Sequence, residues 1–283
     1  MKTRALTAAI LTLAASVAFA AGKDFDRTLN INAAPSVSLS TGSGYIHVHP
    51  GSDSQVHVIG HVRPSNSWFN KDSESRVQQI VNNPPISQNG NTITIGDTQS
   101  RELYRNISID YDVTLPRASS IHAGSGSGDV DIQDVGAYLK ATSGSGNVHA
   151  QGIHGPADLQ SGSGDIYLQQ TAAGDVRAQT GSGNIQLNDI SGGLKAGTGS
   201  GNIEASGRPT SDWKLDTGSG DIHLTLGSSA HFTLNASTGS GTLRTAQPIA
   251  MQGEMNKHHI TGSVNGGGPT VRANTGSGDI DIK

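Results

Sequence analysis

Two short stretches decide the reading of this chain: Gly181-Ser182-Gly183-Asn184-Ile185 and, 18 residues on, Gly199-Ser200-Gly201-Asn202-Ile203. The same Gly-Ser-Gly turn with an Asx/apolar follower recurs at Gly126, Gly144, Gly162, Gly218 and Gly276, with a Thr242-Leu243 variant after Gly239. Successive steps are 18, 18, 19, 18, 19, 21 and 37 residues, and the double-length last step predicts a coil whose turn has degraded. A fixed short period is the mark of a solenoid.

Aligned on the first glycine, the unit is apolar five and three residues before the turn (Val176 and Ala178) and four and six after it (Ile185 and Leu187). Residues two apart share one face of a strand. Each unit therefore reads as strand, tight corner, strand, with a third apolar column near Val135, Ile153 and Ile190. No unit can bury its own apolar face, so the core forms only by stacking. Corners repeated in register need positive φ or close backbone approach, both of which glycine supplies. The column Asp129, Asn147, Asp165, Asn184, Asn202, Asp221, Asp279 is placed to cap corner amides. A left-handed hexapeptide coil also has about 18 residues per turn, but the apolar spacing here is uneven and parallel crossovers are right-handed. The fold class expected is all-β: a right-handed parallel β-helix of about 18–19 residues per rung, with one short helix near its N-terminus.

Residues 1–20 read as a secretory signal, with Lys2 and Arg4, an apolar stretch from Ala5 to Val17, and Ala18-Phe19-Ala20. That stretch is short for a membrane span, and no later segment has the length and apolarity of a spanning helix. Residues 21–120 read as an N-terminal β-rich part or cap. Val37, Leu39, Gly42-Ser43-Gly44, Ile46 and Val48 repeat the rung once, and a helix is expected over about 70–82, with Val77, Ile80 and Val81 on one face. Ile107, Ile109, Tyr111, Val113 and Leu115 alternate as a half-buried strand. The regular repeat occupies 121–283.

The signal segment carries two basic and no acidic residues, leaving 17 basic against 23 acidic residues, a formal charge of −6. That balance argues against a nucleic-acid partner. With no cysteine, disulfides are excluded as a source of stability.

A signal segment, an early Gly-Ser-Gly strand, a strand ending Val113-Thr114-Leu115-Pro116 and stretches such as Trp213-Lys214-Leu215-Asp216-Thr217-Gly218-Ser219-Gly220-Asp221-Ile222 go together. In these the chain resembles the bacterial "putative adhesin" domain family of unknown function, which is similar to auto-transporter adhesin heads. The resemblance covers roughly 24–283 and implies a β-helical fold, an envelope or surface location and no established activity.

Four residues before each corner runs an outward column: His122, Lys140, Asp158, Arg177, Lys195, Lys214, Asn235, Arg272. Stacked cations repel unless something anionic lies across them. Lys140, Arg177, Lys195, Lys214 and Arg272 are the candidate ligand-binding residues, facing an anionic polysaccharide, another envelope component or an envelope protein. A solvated face that discourages aggregation explains the same column. The other outward column (Asp131, His149, Tyr167, Gln186, Glu204, His223, Arg244, Asp281) is chemically mixed and suggests no single ligand. His47 and His49, with His57 and His61 on the next strand, form the weak candidates for a transition-metal site, though no metal or cofactor is expected. β-Helical lyases and hydrolases of polysaccharides provide the alternative class; they need carboxylate pairs or a basic residue in a walled groove. The residues favour instead a secreted or periplasmic, non-catalytic binding or structural rod.

Overall fold

The computed structural model describes residues 23–65, 71–96, 101–251 and 257–283. The signal segment lies outside them. The described residues form an all-β coil in one large sheet, most of whose strands pair in parallel.

The coil follows from the columns. Val130, Val148, Ile166, Ile185, Ile203 and Ile222 pair strand to strand in register, and all are buried. Leu139, Ala157, Val176, Leu194 and Trp213 form the facing file. Trp213 is the bulkiest core side chain, and its indole N–H donates to the Gly192 carbonyl at 2.9 Å, so nothing polar is left over. A lone coil burying Val176, Ile185, Leu187 and Ile190 gains about 1.5–3 kcal/mol from each. Ordering its backbone costs about 1–2 kcal/mol per residue. Stacking, which covers both sides of each coil and completes its hydrogen bonds, makes the ordering affordable.

Two side-chain ladders run up the corners. In the Asx file, Asn147 N–H donates to Asp129 Oδ1, Asp165 N–H to Asn147, Asn184 N–H to Asp165, Asn202 N–H to Asn184 and Asp221 N–H to Asn202, at 2.7–2.9 Å. The expected amide capping is therefore present, and each cap reaches the neighbouring coil. The second ladder is the Ser/Thr before each corner. Ser143, Ser161, Thr180, Thr198 and Thr217 each donate their hydroxyl to a glycine carbonyl of the adjacent coil at 2.8–2.9 Å. Ser143, Ser161 and Thr180 also accept the N–H of the second glycine of their own corner. These hydroxyls are buried with both hydrogen-bonding roles used.

Close approach explains the second glycine of each corner. A Cβ on Gly183 would lie 2.1 Å from the Gly164 carbonyl oxygen, and the same clash recurs up the stack.

Both ends depart from sequence order. At the C-terminal end, Phe232–Ser240 does not pair with Ile203–Ser219. The later strand Thr270–Ser277 is spliced between them, and Ile280–Ile282 lies likewise between Ile222–Leu226 and Leu243–Thr245. The two ladders follow the splice: Asp279 N–H donates to Asp221, Thr242 N–H to Asp279, and the Thr238 hydroxyl to the Gly278 carbonyl. The degraded coil expected from the 37-residue step is not found among the described residues of that stretch. Among its described residues, Ile249–Met251 and His259–Val264 pair antiparallel, and the latter covers Phe232–Ser240 as an antiparallel return strand. A parallel stack ends in an open edge, and a reversed strand closes it.

The N-terminal end repeats the device. Ser36–Thr41 and Ile46–Pro50 lie between Thr92–Ile95 with Ile107–Leu115 on one side and Ser120–Ser125 with Val130–Gln133 on the other. Gln55–Pro64 and Lys23–Asn30 then cap Ile107–Leu115 antiparallel, and Ile86–Asn89 caps Thr92–Ile95. The expected helix spans Lys71–Asn82; Val77 and Ile80 are buried and Val81 packs at the margin of the core, with the helix against the two antiparallel strands. A second, one-turn helix, Arg101–Tyr104, lies in the expanded corner before Ile107 and was not expected, four residues being too few to show a period.

Replacing Gly183 by Ala is expected to cost about 1–3 kcal/mol, because the clashing partner is backbone. Gly42→Ala, which meets nothing within 4 Å, stays within about 0.5 kcal/mol. Urea denaturation of the two variants against the parent separates these outcomes. Thr198→Val strips the Gly183 carbonyl of its side-chain donor and is expected to cost about 1–3 kcal/mol in the same assay.

Candidate functional site

The coil presents its two outward columns on different strands of each rung. On the strands before the corners, pairing runs Ser38, His122, Lys140, Asp158, Arg177, Lys195, Lys214, Arg272, Asn235. The spliced coil matters here. Sequence order separates Lys214 from Arg272 by Asn235, whereas the structure sets Arg272 directly beside Lys214. Arg177, Lys195, Lys214 and Arg272 thus occupy four successive strands, all exposed, at a spacing of about 4.8 Å. Lys140 is cut off from them by Asp158.

The neighbouring outward positions modulate this file. Lys214 is paired with Asp216 at 3.0 Å, and Asp216 also accepts from Asn274. The Arg177 guanidinium donates to Gln179 Oε1. Two residues after Lys195, opposite Gln179, stands Gly197, which adds no side chain to this face. Among the described residues, Lys214 alone of the four is in an ion pair. Like charges 4 Å apart repel by about 1 kcal/mol in water, a cost the fold can carry and an anionic partner would reverse.

On the strands after the corners, pairing runs Asp112, His47, Asp131, His149, Tyr167, Gln186, Glu204, His223, Asp281, Arg244. Read in space, the mixed column becomes ordered at its N-terminal end, where carboxylate and imidazole alternate. His149 Nδ1 lies 3.3 Å from Asp131 and stacks on Tyr167 at 4.7 Å between ring centroids, and His47 Nε2 lies 3.7 Å from Asp131.

The four histidines singled out in the sequence do not share one cluster. Ile107–Leu115 lies between the strand of His47 and His49 and that of His57 and His61. His57 is held by Asp26 and His61 by Asp24, each at 2.8 Å. His47 and His49 meet Asp112 instead, with one donor atom from each residue within 4.8 Å of the other two. Asp112 was missed because no Gly-Ser-Gly corner precedes Ile107–Leu115, so its partner strand could not be read from the repeat; the alternation gave only its outward face. That alternation also hid Asp110, which is buried, ion-paired with Arg63 and accepts the Tyr45 N–H at 3.1 Å, filling the Asx role for the early corner.

With the coil, its corner ladders and its outward files in view, the family match covers residues 38–283 and is to Toastrack DUF4097. This chain belongs to the Toastrack DUF4097 family. No curated protein matches it. Similar solved structures include a "putative adhesin" from Bacteroides fragilis (15% identity, 93% of this chain and 99% of that chain, TM-score 0.30). Another, from Parabacteroides distasonis, is also described as a "putative adhesin" (10% identity, 93% and 98%, TM-score 0.34). A third, also from Parabacteroides distasonis, is described as a "putative lipid binding protein" (11% identity, 93% and 97%, TM-score 0.33). Among the described residues of this Toastrack chain no helix is long and apolar enough to cross a membrane.

At the far end of the Asx file, the Asp279 carboxyl is held below its usual range, chiefly by the Thr242 backbone N–H, then by the Thr242 hydroxyl, with Arg244 adding to it. A depressed carboxyl contributes stability above its unfolded pKa of about 4, and that contribution is lost as pH falls through the lower folded value. Asp279→Asn, which keeps an Oδ1 acceptor, is expected to flatten the acid-side decline in stability, measured as the unfolding midpoint against pH.

Proposed function

We propose that this protein is an exported, non-catalytic, right-handed β-helix that binds an anionic polysaccharide or a similar envelope polymer along one side of its rod. The observation that carries the reading is the unbroken file Arg177, Lys195, Lys214, Arg272 in a chain that is acidic overall. An extended uronan repeats its carboxylates along a line, and successive strands offer one cation per step of about 4.8 Å along a line. The matching repeat lets several weak contacts act together, each gaining when the others are made. Lys140, beyond Asp158, extends the track for a longer polymer. Export fits the signal-like first 20 residues, and a periplasmic or cell-surface setting is where such polymers occur.

The test is binding of the mature chain to polygalacturonate and to a neutral glucan across a salt series. Lys195→Glu combined with Lys214→Glu is expected to weaken polygalacturonate binding by about tenfold or more at low salt and to flatten its salt dependence. Thermal unfolding is expected to stay near that of the parent, since both side chains are exposed. Equal binding by parent and double variant would overturn the assignment of the file, and turnover of the uronan would overturn the non-catalytic reading.

A further inference from the structure

His47 and His49 project from one strand, two residues apart, and Asp112 projects from the adjacent strand directly opposite His47. The three side chains are half-exposed on the sheet face, and their donor atoms lie within 4.8 Å of one another. His49 Nδ1 is 3.2 Å from Asp112 Oδ1. That Oδ1 atom is shut off from solvent yet accepts no hydrogen bond, so the imidazole stands beside it without donating along the line between them. The far nitrogen, His49 Nε2, lies 2.9 Å from the Thr114 hydroxyl. Thr114 engages Nε2, which leaves Nδ1 as the His49 nitrogen on the Asp112 side, where a cation held by both groups would satisfy the carboxylate oxygen. Thr114 then does for His49 what outer partners do for metal-bound imidazoles, fixing the tautomer and the ring plane. Asp131, 3.7 Å from His47 on the other side, adds a second negative charge and restrains that ring.

We propose that His47, His49 and Asp112 bind one divalent transition-metal ion of the borderline class, such as Zn(II) or Cu(II), as an open three-ligand site on the face of the sheet. Two imidazoles and one carboxylate select such ions over Ca(II) and Mg(II), which take oxygen ligands. Three protein ligands on an exposed face leave coordination positions for water or for a donor group of a partner. The site lies on the strands after the corners and the cationic file on those before them, so the proposal does not rest on polymer binding.

The experiment uses the untagged mature chain. Titration calorimetry with Zn(II) is expected to give one equivalent per chain, with no comparable heat from Ca(II). His49→Ala and Asp112→Asn are each expected to weaken that affinity at least tenfold, whereas His57→Ala, a histidine held by Asp26, leaves it unchanged. Cu(II) bound to the parent is expected to show hyperfine coupling to two imidazole nitrogens, a readout independent of whether a variant folds. Absence of stoichiometric binding, affinity equal in parent and both site variants, loss through His57→Ala, or a copper spectrum without imidazole nitrogen would each overturn the proposal.

Discussion

The constraint that governs this molecule is the contact between corner backbones of adjacent coils. Where Gly183 passes the Gly164 carbonyl there is no room for a β-carbon, and the same closeness lets the Thr180 hydroxyl bridge from the Gly183 amide of its own corner to the Gly164 carbonyl of the adjacent coil. The apolar files supply most of the driving force, but they would tolerate sliding by two residues, since a strand's pattern repeats with that period. The corners do not tolerate it. Glycine, hydroxyl and Asx at fixed offsets lock the register, and the register in turn aligns every outward column.

Alignment is what turns scattered charges into surfaces. A lysine in a loop is a mobile point charge; Lys195 on its strand has Arg177 to one side and Lys214 to the other, at a distance set by the sheet. The same geometry places Asp112, His47, Asp131 and His149 in alternation on the other set of strands. The solenoid thus presents two chemically distinct stripes in which neighbours are drawn from positions as far as 84 residues apart in the chain, as for His47 and Asp131.

The middle of this fold was legible in the sequence because every contact there joins a residue to its equivalent one repeat away. The Ile185 file, the Asx caps and the helix over Lys71–Asn82 all follow from local pattern and period. The ends were not legible, because nothing local distinguishes a strand that pairs with the preceding coil from one that slips past it. Thr270–Ser277 has the same pattern as Phe232–Ser240, and only the antiparallel His259–Val264 between them in sequence forces the exchange. This is also why the cationic residues were found individually while their continuity was not. The Ser/Thr ladder was visible as a recurring letter before each corner, but its two-way bonding depends on how closely the coils approach.

The exchanged order at each extremity has a consequence for how the chain reaches its native form. An ordinary solenoid can zip up one coil after another as the polypeptide emerges. Here the berth between Ile203–Ser219 and Phe232–Ser240 must wait for Thr270–Ser277, which follows both in sequence, so this end does not assemble strictly coil after coil. The C-terminal end is thus a latch that can close only after the coils on both sides of it are laid down.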